Sequence, residues 1–176
     1  LLKETQELWH GQIKYTDNSN NEYESGVQII TGKRDKKVFK HTLKLVPQEL
    51  AVGIGCKKGK SAQEIEQAVK KTFDKAGLLL EAIAVVASVD RKADEAGIIE
   101  FARKWKVPYK TYTPEYLRNV EGDFVSSAFV EEQIGVGNVC ERSASAASAG
   151  GEKLVGKTAD NGVTVAIYRV AHKNKE

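Results

Sequence analysis

One apolar run that breaks into glycines and lysines and then opens a helix constrains this chain more than any other stretch: Ala51-Val-Gly-Ile-Gly-Cys-Lys-Lys-Gly-Lys-Ser61. Val52 and Ile54 have the alternation of a buried strand, while Gly53, Gly55 and Gly59 lack the Cβ that keeps a ligand away from backbone. Ser61 and Glu64 stand at the spacing of a capping box, so the strand is expected to turn directly into a helix. Such a helix start carries unpaired amides and the positive end of the helix dipole, and Lys57, Lys58 and Lys60 add charge of the same sign. The expected ligand is therefore acidic, and the residues expected to bind it are Gly53, Gly55, Cys56, Lys57, Gly59 and Ser61.

Beyond this turn the chain alternates helix and strand. Over 61–76 apolar residues fall at Ile65, Ala68, Val69 and Phe73, one face of a helix that Gly77 stops. The continuous apolar run 83–87 has strand length and predicts a strand covered on both faces. Residues 93–106 return to helical spacing through Ile98, Ala102 and Trp105, 107–113 alternate as a strand, and Pro114 starts a short helix ending near 120. Two further helices are expected over 126–134 and 138–149, the second closed by Gly150-Gly151. Strands at 152–157 and 163–170 flank Asp160-Asn-Gly162 as a terminal hairpin. Helical crossovers require parallel pairing and the hairpin antiparallel pairing, so the predicted fold is a three-layer α/β/α sandwich with a mixed sheet over 49–176. Residues 1–48 read as the remnant of a preceding region, a small β-containing appendage. It has a polar turn at 16–21, strands at 26–31 and 38–46 around an exposed turn at 33–37, and Pro47 as its boundary.

Composition narrows the function classes. With 41% hydrophobic and 29% charged residues the chain reads as a soluble globular protein. No apolar run approaches the roughly 20 residues that span a bilayer, and no signal peptide opens the sequence, so a cytoplasmic site with no membrane partner is expected. Two cysteines are too few for a disulfide framework. The charge of +3 is unevenly placed, since nine Lys or Arg between 33 and 60 face only Asp35 and Glu49. Aromatic residues are not interleaved with these lysines, which argues against nucleic acid as a partner. The absence of methionine suggests a piece of a longer protein.

The glycine turn ends in Gly59-Lys60-Ser61, the close of a phosphate-binding Walker loop, but its first glycine would fall on Ile54, and Gly53 and Gly55 are each one residue out of register. A nucleotide- or phosphate-binding domain is thus the weaker reading. Cys56 lies near lysines and a helix start, conditions that lower a thiol pKa, yet His10, His41 and His172 are all remote from it in sequence. The second dense stretch, Ser88-Val-Asp-Arg-Lys-Ala-Asp-Glu95, leaves the carboxyl end of a strand, where open α/β sheets form their ligand crevice. If the two strands are parallel neighbours, Asp90 or Glu95 can serve as general base and Lys92 as the electrostatic partner of an oxyanion. The competing structural role is plain: Asp90 as an N-cap, Asp94 and Glu95 as helix-start charges. Lys157 can turn into the same crevice or stay in solvent. No cysteine or histidine spacing fits a protein metal site.

Several ordered motifs resemble those of the C-terminal domain shared by the cobalamin biosynthesis proteins CbiG and CobE. They are Gly53-Ile-Gly-Cys56 with Lys57, Gly59 and Ser61, Val89-Asp90 with Lys92-Ala-Asp-Glu95 and Gly97, Val136-Gly137 with Val139 and Glu141, and Val163-Thr-Val-Ala-Ile167. The resemblance runs from about 46 to 169, and residues 1–48 are similar to the end of the middle region that precedes this domain in CbiG. Phe124-Val-Ser-Ser127 and Arg142-Ser-Ala-Ser145 depart from the family pattern. The resemblance implies a cobalt-precorrin-5A hydrolase of the anaerobic vitamin B12 route, which opens a ring-A lactone with water and releases acetaldehyde. It implies a cobalt-corrinoid partner whose cobalt travels inside the substrate, so that no other cofactor is required, and a separate CbiG N-terminal domain. A homodimer and a purely corrinoid-binding role remain open beside it.

Overall fold

The computed structural model describes residues 24–33, 39–124 and 138–171. Contacts divide the chain into a smaller unit, Leu1–Gln28 with Asp35–Leu45, and a larger one, Ile29–Arg34 with Val46–Glu176. β1 (Ser25–Ile29) and β2 (His41–Leu45) pair as a two-stranded sheet. The turn expected at 16–21, most of that at 33–37 and the helix expected over 126–134 lie outside the described residues.

The larger unit is built from β3 (Leu50–Cys56), α1 (Ala62–Ala76), β4 (Ile83–Val89), α2 (Ala96–Lys104), β5 (Tyr109–Tyr112), α3 (Pro114–Arg118), α4 (Val139–Ala147), β6 (Lys153–Asp160) and β7 (Val163–Arg169). Its five strands run in the order β5-β4-β3-β7-β6. β3, β4 and β5 are parallel, and β7 is antiparallel to both β3 and β6, which gives the mixed sheet expected from crossovers followed by a hairpin.

Alternation along β3 explains the layers. Leu50, Val52 and Ile54 join Val163, Val165 and Ile167 of β7 beneath α1 and α2, where Ile65, Val69, Phe73, Ile98 and Phe101 complete the main core. Each such side chain contributes about 1.5–3 kcal/mol on burial. The opposite face receives α4, whose Cys140 and Ala144 meet Ala166 and Tyr168. Beside it, Val139 packs with Val89 and with Leu117 of α3.

Local chemistry sets the ends of α1. Ser61 Oγ accepts from the Glu64 amide and the Glu64 carboxylate accepts from the Ser61 amide, the reciprocal capping box. At the other end Gly77 adopts φ 65°, and the amide of Leu78 returns to the carbonyl of Phe73. Helix α2 starts later than its spacing predicts, because Asp90–Lys92 forms a separate 3-10 turn and Glu95 is the N-cap. β6 runs on to Asp160, past the expected end at 157, by absorbing register shifts that a sequence pattern does not display.

Candidate active site at the strand ends

Because β3 and β4 are adjacent and parallel, the turns that leave them open at the same end of the sheet. Glu95 joins the two turns directly. Its Oε1 accepts from the Gly59 amide at 2.8 Å and its Oε2 from the Lys92 ammonium at 2.7 Å. The side chains of Lys92 and Glu95 are 17% and 10% exposed, so this bridge is largely shielded from water. The hydrogen bond from Lys92 holds the Glu95 carboxyl below its ordinary range, with the Gly59 amide acting in the same sense against the cost of burial.

The other acidic candidate differs. Asp90 opens the 3-10 turn, and its Oδ1 is buried without a hydrogen-bond partner. A buried carboxylate oxygen with no donor is costly in a finished structure and marks a position where an incoming donor, such as a water molecule, is favoured.

Two residues support this turn from below. The Tyr109 hydroxyl donates to the Lys92 carbonyl at 2.8 Å, and burial pushes its pKa up to about 12, so it stays a donor at any working pH. Ser88 Oγ donates to the Ile54 carbonyl at 2.7 Å and ties β4 to β3 just beneath the mouth. Nothing in the sequence singles out Tyr109. It falls in an alternating strand pattern, and its partner is a backbone atom that no side-chain motif reveals.

The glycine turn is only partly free. Lys60 pairs with Glu64 at 2.7 Å, Ser61 is used in the cap, and the Gly59 amide that a phosphate cradle would use already donates to Glu95. Lys57 and Lys58 are exposed, and the Lys57 amide donates to the Gly162 carbonyl of the β6–β7 turn at 2.9 Å. Cys56 is partly buried at the end of β3. Lys92 and Lys60 do favour the thiolate, but burial outweighs them and raises the pKa.

Gly53 and Gly55 permit close approach, although the structure directs it at the protein itself. A Cβ on Gly53 would overlap the Cys140 carbonyl, so this glycine seats α4 on the sheet. A Cβ on Gly55 would lie 2.6 Å from Thr164 Oγ1, which donates to the Gly55 carbonyl.

Lys157 precedes Thr158, whose hydroxyl meets Thr72 of α1, so by strand alternation it turns to the opposite, α4 side of the sheet. Its ammonium lies near enough to the Cys140 thiol to favour ionisation there, although burial prevails and the pKa rises to about 11. The Cys140 thiol itself donates to Asn138 Oδ1 at 3.5 Å, while Thr164 Oγ1 donates to the Gly55 carbonyl at the edge of the mouth. Among the described residues no cluster of His, Cys, Asp or Glu could hold a metal ion, and no helix is long and apolar enough to cross a membrane.

A mixed α/β sheet whose neighbouring strand-end turns present lysines, a buried carboxylate oxygen without a hydrogen-bond partner and a carboxylate bridge is an open α/β domain with a polar crevice at its strand ends. Residues 50–168 match the family described as Cobalamin synthesis G C-terminus, and the chain belongs to it. It is 36% identical over 130 residues to the cobalt-precorrin-5A hydrolase of Salmonella typhimurium, covering 73% of this chain and 36% of that protein. It is 28% identical over 88 residues to the cobalt-precorrin-5A hydrolase of Priestia megaterium, covering 50% of this chain and 24% of that protein. The chain thus spans about a quarter to a third of the length of these curated relatives. Among solved structures it is similar to CobE, a protein from the cobalamin biosynthetic pathway, with a TM-score of 0.66 and 28% identity, over 73% of this chain and 94% of that one.

Proposed function

We propose that this domain receives a cobalt macrocycle fringed with carboxylates at the strand-end mouth and takes part in its hydrolysis, the reaction class named for the Salmonella and Priestia relatives, by helping to open a ring-A lactone. The observation that carries this reading is the Glu95 bridge, which brings the glycine turn and the Asp90–Lys92 turn together. Asp90, with one buried oxygen lacking a donor, is the base that takes a proton from water as it adds to the lactone carbonyl. Lys92 faces the negative charge that develops on the carbonyl oxygen. Glu95 is too firmly engaged to be the base and instead holds Lys92 in place. Lys57 and Lys58 meet peripheral carboxylates. Opening of the lactone frees an alcohol, and as that alcohol gives up its proton the carbon–carbon bond to the macrocycle breaks, so that the two-carbon fragment leaves as acetaldehyde and the ring carbon keeps the electron pair and takes up a proton. Cobalt is part of the substrate in this scheme.

The test is acetaldehyde release by the purified chain from the lactone substrate. Asp90→Asn is expected to lower turnover at least about a hundredfold, the usual scale of general-base catalysis, with substrate affinity unchanged. Unchanged turnover in a folded variant removes Asp90 from the reaction. A second reading, a corrinoid-binding module without chemistry of its own, draws on the mutual engagement of Lys92 and Glu95 and on the short span of the relatives that this chain covers. Saturable binding with no acetaldehyde release decides in its favour.

A further inference from the structure

Glu141 has no part in the mechanism above, yet it is the most deeply buried carboxylate described, with 3% of its surface exposed. It lies in the first turn of α4 and reaches across to β6, where its Oε1 accepts from the Lys157 amide. Its Oε2 lies 3.5 Å from the Lys153 ammonium, outside hydrogen-bond geometry.

The pairing of β6 with β7 explains why the Lys157 amide is available. Val155 stands opposite Ile167 and Thr158 opposite Val165, so three steps on β6 match two on β7. Gly156 and Lys157 therefore share one position on the partner strand, a β-bulge that leaves an amide without a place in the ladder. The Glu141 carboxylate fills that place. Gly156 makes room for it, since a Cβ there would lie 3.0 Å from Glu141 Oε1.

The position of the bulge decides which way Lys157 faces. Thr158, the next residue, points to the α1 layer, where its hydroxyl lies 2.9 Å from that of Thr72. If the bulge moved one residue along the strand, Lys157 would join Thr158 on that face and leave the α4 side of the sheet. We propose that Glu141 is a positioning residue: by capping the bulge it holds the Lys157 ammonium on the α4 side of the mouth, where it binds a carboxylate arm of the ligand. The inference rests on the macrocycle reading, and it assigns to Glu141 an effect that passes entirely through Lys157.

The experiment is a titration with cobyrinic acid, a cobalt corrin bearing free carboxylates, of the wild type, Glu141→Ala, Glu141→Gln, Gly156→Ala, Lys157→Met and the Glu141→Ala/Lys157→Met double variant. Loss of one charge-assisted contact predicts binding at least about tenfold weaker for Lys157→Met, and Glu141→Ala and Gly156→Ala should match it. The double variant should be no weaker than Lys157→Met, and Glu141→Gln, which keeps the acceptor, should stay within about twofold of wild type. Wild-type binding by Glu141→Ala or by Lys157→Met, or a double variant weaker than both, overturns the inference and leaves the macrocycle reading standing. Failure of the wild type to bind overturns that reading. A second measurement then judges the bulge alone, through hydrogen exchange of the Lys157 amide. Its protection should be lost in Glu141→Ala and kept in Glu141→Gln, and its persistence in Glu141→Ala overturns the role assigned to Glu141.

Discussion

Cys56 and Glu95 shift in opposite senses although both lie within reach of the Lys92 charge. Burial dominates for Cys56 and raises the thiol, whereas a hydrogen bond from Lys92 dominates for Glu95 and lowers the carboxyl. A raised thiol pKa means that the thiolate is scarce at neutral pH and grows as pH climbs beyond the ordinary value near 9. Because Lys92 lowers that pKa and Glu95 raises it, substitutions at the two should separate. Glu95→Ala should speed alkylation of Cys56 by iodoacetamide at neutral pH, and Lys92→Met should slow it. Cys140, 1% exposed, should not react in either. Equal rates in the two variants would break the link between the turns. The sequence made Asp90, Lys92 and Glu95 legible as one charged stretch after a strand. It did not show that Glu95 completes the glycine turn, because that contact spans 36 residues and depends on β3 and β4 being neighbours.

Among elements, the helices of the main core were the most legible. The capping box, the apolar stripe and Gly77 all describe α1 locally, and the structure uses each of them. The glycines of β3 were legible as glycines but not in purpose, since nothing near Gly53 in sequence announces a helix that begins at Val139. Two substitutions bring out the difference. Gly53→Ala drives a methyl into the Cys140 carbonyl and should cost more than about 3 kcal/mol in urea unfolding, the range of severe overpacking. Gly59→Ala meets no atom within 4 Å and pays only for its φ of 81°, about 1–2 kcal/mol. Equal losses would mean that backbone conformation, not the seat of α4, fixes the first glycine. The bulge of β6 was not legible at all, because its cause is a carboxylate on another element.

For the whole molecule, the alternation of helices and strands was enough to expect a mixed sheet between helical layers, and the five-stranded order bears it out. The larger unit also includes Ile29–Arg34, where the Leu79 amide donates to the Thr31 carbonyl and the Lys33 amide to the Gly77 carbonyl. CobE is matched over 94% of its length by 73% of this chain. A chain beginning at Val46 should therefore unfold in urea as one cooperative step, weakened by about 1–3 kcal/mol for the two lost hydrogen bonds. A non-cooperative transition would show that the five-stranded sheet depends on what precedes it.

The position of β7 between β3 and β6 also bears on how the protein is made. During translation β3 leaves the ribosome long before β7, so one edge of the central strand stays bare while more than a hundred residues are added. The carbonyl of Gly162 that holds the Lys57 amide arrives with the same late hairpin. A nascent chain arrested before Val163 therefore leaves an open strand edge for chaperones to shield or for other chains to pair with.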